Sequence, residues 1–395
     1  MKIVFRGTPL ELQPARAPPG RSFAPGHSTP ETISLVLSAM ECGGELALQN
    51  TRLTPAELAA QRESIAAVPA GPDPALVLFT SGTTGAPKAA RLLRDNLEAN
   101  ARAANEVLQV DASSRFLCVL PLFHVGGLGI VFRCGLAGAT LLLHERFDAV
   151  AVARDLASAT HASLVASTLA RVLEVKAAGF PPAVVAVGGG PVPAPLLQRA
   201  REAGLRVVQT WGMTETCSMA TCERPDDADG ATAGPPLPGF ELRVVDAGGL
   251  SPDAGEVLVR GPAVMRGYLG HEPLEGRFFR TGDLGELDAR GRLTVHARRT
   301  DLIVSGGENV YPAEVEAALM AHPAVREAAV LPESDEKWGQ VGVAYVVTSA
   351  TDDELREHLR ARLARYKIPA RFVRLAELPR NAGGKVDRLR LRPPP

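Results

Sequence analysis

Cysteine is scarce and badly placed for metal work. The five residues (Cys42, Cys118, Cys134, Cys217 and Cys222) contain no Cys-x-x-Cys step, and no histidine beside Cys217 and Cys222 completes a ligand set. A thiolate zinc module is excluded, and a reducing compartment fits best. Blocks of one charge sign are also missing: 43 Lys+Arg against 44 Asp+Glu leave a net charge of −1. That argues against nucleic acid or a membrane surface as the partner. Apolar runs stop short of the ~18 residues that span a bilayer. The N-terminus lacks the apolar core of a secretion signal, so a cytoplasmic protein is expected. No internal repeat is visible. At 395 residues the chain exceeds one ordinary core, and two or three domains are expected.

What is present gathers first in one loop. Leu78 to Leu92 reads LFTSGTTGAPKAARL. An apolar run, Leu76 to Phe79, predicts a buried strand opening into Ser81, Gly82, Thr83, Thr84 and Gly85, with Lys88 just beyond. Backbone N–H groups freed by glycine, hydroxyl donors and an ammonium suit a polyphosphate. The Walker pattern, with Gly-Lys-Ser/Thr opening a helix, is absent.

The first 30 residues are dense in Pro, Arg and Gly and are expected to be poorly ordered or extended. From Leu76 to Gly212, strand-like and helix-like runs alternate. Val184 to Val187 reads as a buried strand, Pro193 to Ala203 as a helix stopped by Gly204, and Leu205 to Thr210 as the next strand. This predicts an α/β fold with a mostly parallel, helix-covered sheet, whose ligands gather at the carboxyl ends of the strands. The SGTTG loop, Gly188-Gly189-Gly190 and a Trp211-Gly212 turn would converge there. From Phe240 to Arg298, short strands (Glu241 to Val245, Glu256 to Arg260, Arg292 to His296) predict a β subdomain. Pro312 to Met320 and Asp352 to Ala364 read as helices around a strand at Val341 to Val347. The expected division is a large domain over 1–298 and a small α+β domain over 299–395.

Further segments follow in order: PLFHVGGLGI from Pro121, QTWGMTETCSM from Gln209, GEVLVRGPAVMRGYLG from Gly255, TGDLGELD from Thr281, RTDLIVSGGENVYPAE from Arg299 and LPRNAGGKVDR from Leu378. Together they resemble the motif set of the adenylate-forming superfamily of acyl- and aryl-CoA ligases, adenylation domains and luciferases, from about Leu76 to Arg388. The stretches PLFHVGGLGIVFR, GGGPVPAPLL, WGMTETCSM, SGGENVYPAEVEAAL, DEKWGQV and YKIPARFV, with NTRLT from Asn50, resemble more closely the o-succinylbenzoate–CoA ligases of menaquinone biosynthesis.

That resemblance implies ATP, Mg²⁺ and coenzyme A as reactants and a reaction in two halves: acyl-adenylate formation, then thioester formation. It assigns Ser81, Thr83, Thr84 and Lys88 to the β- and γ-phosphates, Thr214 to the α-phosphate and Glu215 to magnesium. Gly188, Gly189, Gly190 and Pro191 would hold adenine. Trp211, beside Gly212, stands where the superfamily usually has Tyr and keeps a stacking face. Asp283 would bind the ribose hydroxyls, and Arg298 ribose and phosphate. Lys385 would bridge the carboxylate to the α-phosphate during adenylation. Gly306 and Gly307 would line the coenzyme A tunnel, and Thr300 would be the hinge about which the small domain turns between the two steps.

His124, Gly126 and Arg133 fall to the acid. On composition alone His124 reads as a core histidine and Arg133 as a helix arginine reaching outward. The segment around Arg133 is otherwise apolar, however, and a buried guanidinium needs an anion. The implied acid carries a second carboxylate.

Two departures from the family stand out. The chain before the phosphate loop is short, which implies a missing layer: either other segments, a homodimer partner or another protein covers that face, or the protein is marginally stable. Gly126 stands where close relatives usually carry Ser, which leaves the acid open. The alternatives are a ligase of the same mechanism for another aryl or aliphatic acid, an enzyme loading a carrier protein, and a non-catalytic derivative.

Overall fold

The computed structural model describes residues 2–12, 20–80, 88–245, 255–298, 301–305, 308–335, 338–363, 365–381 and 385–391. The chain starts with strands β1 (Lys2–Phe5), β2 (Thr8–Leu10) and β3 (Arg21–Pro25). These three N-terminal strands are extended and paired: β1 lies parallel to a later strand, and β3 edges a second sheet. Helix α1 (Pro30–Cys42) starts where Thr29 accepts the Thr32 N–H with Pro30 in the first turn, and it stops at left-handed Gly43. After β4 (Glu45–Gln49), helix α2 (Pro55–Ser64) begins in a reciprocal cap between Thr54 and Glu57. The NTRLT element thus ends on a helix start.

Strands β5 (Ala75–Thr80) and β6 (Lys88–Leu93) pair antiparallel, with Thr80 opposite Lys88. Next come α3 (Arg94–Leu108), β7 (Arg115–Cys118), α4 (Val125–Ala137), β8 (Thr140–Leu143), α5 (Ala149–Asp155), β9 (His161–Leu164), α6 (Ala166–Val175), β10 (Val184–Val187), α7 (Ala194–Glu202) and β11 (Arg206–Met213). A short 3₁₀ turn over Thr214–Thr216 leads into β12 (Ser218–Cys222). The eight-stranded sheet runs β12-β11-β10-β9-β7-β8-β1-β2. It is parallel from β11 to β1, as the alternation predicts, with an antiparallel strand at each edge. One expectation is corrected: Trp211 and Gly212 lie inside β11, at a bulge against β12, rather than in a turn.

The chain continues through β13 (Glu241–Val245), β14 (Gly255–Arg260), β15 (Gly267–Tyr268), β16 (Phe279–Leu287) and β17 (Leu293–Arg298). Strand β15 completes the second sheet, β15-β6-β5-β4-β3, while β13, β14, β16 and β17 form a sheet of their own. Val36, Leu46, Leu76, Leu92, Leu97, Leu128 and Phe132 share one buried cluster, so α1, α3 and α4 pack with the β15–β3 sheet. That sheet also holds a buried charge cluster. The Glu45 carboxylate accepts from Arg21 Nη2 and Arg91 Nε, each at 2.6 Å, and from the Gly71 N–H at 3.0 Å.

The C-terminal part comprises β18 (Ile303–Ser305), β19 (Glu308–Val310), α8 (Pro312–Met320), β20 (Val325–Asp335), β21 (Gly339–Thr348), α9 (Asp352–Arg360), β22 (Arg371–Arg374) and α10 (Arg388–Leu391). Its sheet runs β19-β18-β21-β20, with β22 joined to β21. The packing separates two compact units. The first holds Met1–Gly190, Leu197–Leu242 and Val259–Phe279; the second holds Pro191–Leu196, Arg243–Leu258 and Arg280–Pro395. Among the described residues, no helix is long and apolar enough to cross a membrane.

Candidate active site

In the first unit the expected residues sit at carboxyl ends of strands. Gly188 follows β10 so closely that a Cβ there would lie 2.3 Å from Thr210 Oγ1, next to Trp211 on β11. Gly190 has open space where its Cβ would be. The close approach that keeps a side chain out is thus confined to the strand end, beside the buried Trp211 indole. Gly212 is equally constrained, because a Cβ would fall 1.9 Å from the Ser218 carbonyl oxygen across the bulge. Lys88 opens β6, opposite the end of β5. Ser81, Gly82, Thr83, Thr84 and Gly85 lie outside the described residues, as do Gly306, Gly307 and Thr300 and the Arg298 side chain.

The turn that carries Thr214 and Glu215 is tightly held. Thr216 Oγ1 accepts the Met213 N–H at 3.0 Å and donates to the Ser218 carbonyl at 2.8 Å. Asn100 Nδ2 donates to the carbonyls of Thr216 and Met219 at 2.9 and 2.7 Å. The Glu215 backbone carbonyl accepts from the Met265 N–H at 2.8 Å. Glu215 is buried, and its carboxylate accepts from the Tyr268 hydroxyl at 2.5 Å. The Lys88 ammonium lies 5.2 Å from the centre of the same Tyr268 ring. One tyrosine therefore joins Lys88 to the Glu215 turn.

Among the described residues, no group of three or more acids, histidines or cysteines could hold a metal alone. A single buried carboxylate fits Mg²⁺, which keeps waters and takes most of its other oxygens from phosphates. The site therefore suits a magnesium ion that arrives with a nucleotide.

Helix α4 carries the residues expected at the acid. His124 precedes its first turn, with the ring edge-on to Phe123 at 4.7 Å. Gly126, Gly129 and Arg133 recur at helical spacing along one face. Arg133 is 1% exposed, so it does not reach outward. Its Nη2 donates to Ser218 Oγ at 3.1 Å, and its buried Nε has no hydrogen-bond partner. Gly129 keeps this space open: a Cβ there would stand 3.1 Å from Ser218 Oγ and 3.4 Å from Arg133 Nη2. No carboxylate pairs with the guanidinium among the described residues. Burial pulls its pKa down to about 10, which leaves it charged at neutral pH. Burial pushes Cys118 and Cys222 up to about 12 and raises Cys134 and Cys217 as well.

The TETCS run, which ends at Ser218, points to the substrate by resemblance, but nothing in the sequence gives Ser218 its contact with Arg133 or gives Gly129 and Tyr268 a role. Ser218 carries a signal in its backbone, φ +131° after Cys217 at +56°, where non-glycine residues are uncommon and mark constrained sites. Tyr268 stood within the quoted GEVLVRGPAVMRGYLG run with no role attached.

In the second unit, buried Asp283 begins the β16–β17 pairing opposite Arg298, and its N–H donates to Thr281 Oγ1 at 3.0 Å. Pro191 belongs to this unit too. Lys385 is exposed, and its N–H donates to Asn381 Oδ1 at 3.1 Å.

A helix-covered parallel sheet, a glycine strand end beside a buried indole and one buried acid in a braced turn define an adenylate-forming enzyme. The AMP-binding enzyme family matches residues 27–269 and the AMP-binding enzyme C-terminal domain residues 314–385, and the chain belongs to this family. Within it, the chain is 40% identical to 2-succinylbenzoate–CoA ligase of Bacillus subtilis (strain 168) over 333 residues, 80% of this chain and 68% of that one. It is 42% identical to the enzyme of that name from Bacillus velezensis over 334 residues, 81% and 68% of the two chains. It superposes on o-succinylbenzoate CoA synthetase (MenE) from Bacillus subtilis in complex with the acyl-adenylate intermediate OSB-AMP. The TM-score is 0.86 at 32% identity, covering 100% of this chain and 95% of that one. The same synthetase in complex with ATP and magnesium ion gives 0.85 at 32% identity, covering 97% and 94%.

Proposed function

We propose that this chain is an ATP- and Mg²⁺-dependent acid–CoA ligase acting on o-succinylbenzoate in the cytoplasm. A carboxylate oxygen attacks the α-phosphorus of ATP and pyrophosphate leaves. The coenzyme A sulfur then attacks the carbonyl carbon of the mixed anhydride, losing its proton as AMP departs. No protein nucleophile is required, so the chain's work is positioning and charge stabilisation. Magnesium, held by Glu215 and phosphate oxygens, would screen the polyphosphate charge. Tyr268 fixes one Glu215 oxygen and keeps the other available. Lys88 and the SGTTG loop take the outer phosphates, Thr214 the α-phosphate, Trp211 and Gly188 the base, and Asp283 the ribose. Lys385 serves the adenylation step alone. The two family matches leave residues 270–313 between them, and the domain division at 298/299 with Thr300 as hinge falls there.

The observation that carries the substrate reading is Arg133, a fully buried guanidinium with an idle Nε and no acid partner among the described residues. An acid with a second carboxylate supplies that partner, and Ser218 orients the guanidinium toward it. His124 and Gly126, less buried on the same helix, shape the approach.

Pyrophosphate release with ATP, Mg²⁺ and coenzyme A across a panel of acids tests this. Turnover on o-succinylbenzoate alone is expected. Turnover only on monocarboxylic acids would keep the reaction and reject the substrate. Silence across the panel from folded protein would remove the ligase reading.

A further inference from the structure

Lys385 is exposed, and a catalytic lysine needs something to hold it. The chain on either side of it is unusually well tied. The Asn381 N–H donates to the Lys385 carbonyl at 2.8 Å, and the Asp387 N–H to the Pro379 carbonyl at 2.7 Å. Arg380 and Val386 form an antiparallel bridge between these bonds. Leu378, Val386 and Leu391 pack on Leu331, Val343 and Tyr345 of the β20–β21 face.

Both stems are then fastened to the edge strand of that sheet. Arg380 Nη2 reaches Glu327 Oε2 on β20 at 2.7 Å. Arg388 Nη1 donates to the Val330 carbonyl at 2.7 Å, while its Nη2 donates to Glu316 Oε1 on α8 at 2.6 Å. The same Glu316 oxygen accepts the Val330 N–H at 2.7 Å. Among the described residues, strand β20 has no neighbour on one side, so its outward N–H and C=O need partners. Glu316 and Arg388 satisfy one of each at a single residue and pair with each other, in a ring of charge-assisted bonds. Three residues of chain span at most ~11 Å, so fixing Arg388 confines Lys385.

We infer that Arg388 and Glu316 are positioning residues for Lys385, locking its loop to Val330 of β20 for the adenylation step. The inference rests on reading Lys385 as the adenylation lysine. A displacement of about 1 Å at a catalytic group costs up to ~100-fold in rate. In the full chain, Arg388→Met should lower ATP–pyrophosphate exchange toward that limit, in kcat with KM for ATP unchanged. Thioester formation from supplied acyl-adenylate and coenzyme A should stay at the wild-type rate. Glu316→Gln keeps an acceptor for the Val330 N–H and removes only the ion pair, so a smaller loss in the same step is expected. It decides the matter if Arg388→Met does not fold. Equal loss of both half-reactions, or loss of neither, would overturn the inference. Lys385→Ala separates the two layers. Exchange that survives it removes the reading of Lys385 and this inference together. Exchange lost in Lys385→Ala but intact in Arg388→Met removes only the positioning role.

Discussion

A single side chain can destabilise a fold and still be needed, and Arg133 has that signature. Its charge is buried without an acid among the described residues, a state that costs more than an apolar replacement of similar length. The depressed pKa of about 10 expresses the same cost, because the folded state holds this proton less tightly than the ordinary 12.5. The sign follows: the penalty is in full force below pH 10 and is relieved only as pH rises through the folded value. Arg133→Met should therefore raise the melting temperature while raising KM for o-succinylbenzoate, with KM for ATP unchanged. A lower melting temperature would show the guanidinium to be a structural tie. Gly126 behaves differently. A Cβ there meets only the Leu120 side-chain end at 3.2 Å, and serine favours a helix interior by a few tenths of a kcal/mol over glycine. Gly126→Ser should leave thermal stability within about 0.5 kcal/mol, and its acid panel reads whether the missing hydroxyl sets the substrate.

At the level of elements, local pattern was readable and long-range contact was not. The strand at Val184–Val187 and the helix at Pro312–Met320 fall where the apolar runs and the proline place them. β11 was cut short at Thr210 because Trp211-Gly212 looks like a breaker; the glycine instead permits a bulge against Ser218. Arg133 announced itself as a charge in an apolar helix, but its partner lies 85 residues away, a distance no window spans. Glu45 is the same case. It is a charge in a fully buried strand, and its partners Arg21, Gly71 and Arg91 come from three other segments. Removing one member of a buried ion pair costs about 3–5 kcal/mol, so Glu45→Leu should lower the urea midpoint by that measure. Burial pushes the Glu45 pKa up, but bonds from Arg91, Gly71 and Arg21 outweigh it and hold the carboxyl below its ordinary 4.5. Its contribution is thus present above pH 4.5 and fades on acidification. A stability gap between wild type and Glu45→Leu that fails to narrow as pH falls below 4.5 would contradict this.

For the whole molecule, the order of motifs spelled out the reaction, whereas which distant segments pack together is not written in any one stretch. Packing groups residues 243–258 with 280–395, and the first of these segments is drawn to the second by the pairing of β14 with β16. On the proposed reaction, Lys385→Ala should abolish pyrophosphate exchange and spare thioester formation from supplied acyl-adenylate; loss of both would contradict its role. Glu215→Gln keeps an acceptor for Tyr268 and should weaken exchange in a way that added Mg²⁺ partly restores; full activity at low Mg²⁺ would free Glu215 of that duty. A last consequence concerns sulfur. An activated acyl group is open to any thiolate, and this chain carries four thiols in Cys118, Cys134, Cys217 and Cys222. All four are buried and shifted far above neutral pH, where they stay protonated and inert. Only Cys42 is exposed. Self-acylation is thereby suppressed, and the intermediate meets the incoming cosubstrate's sulfur with no competing nucleophile among those four.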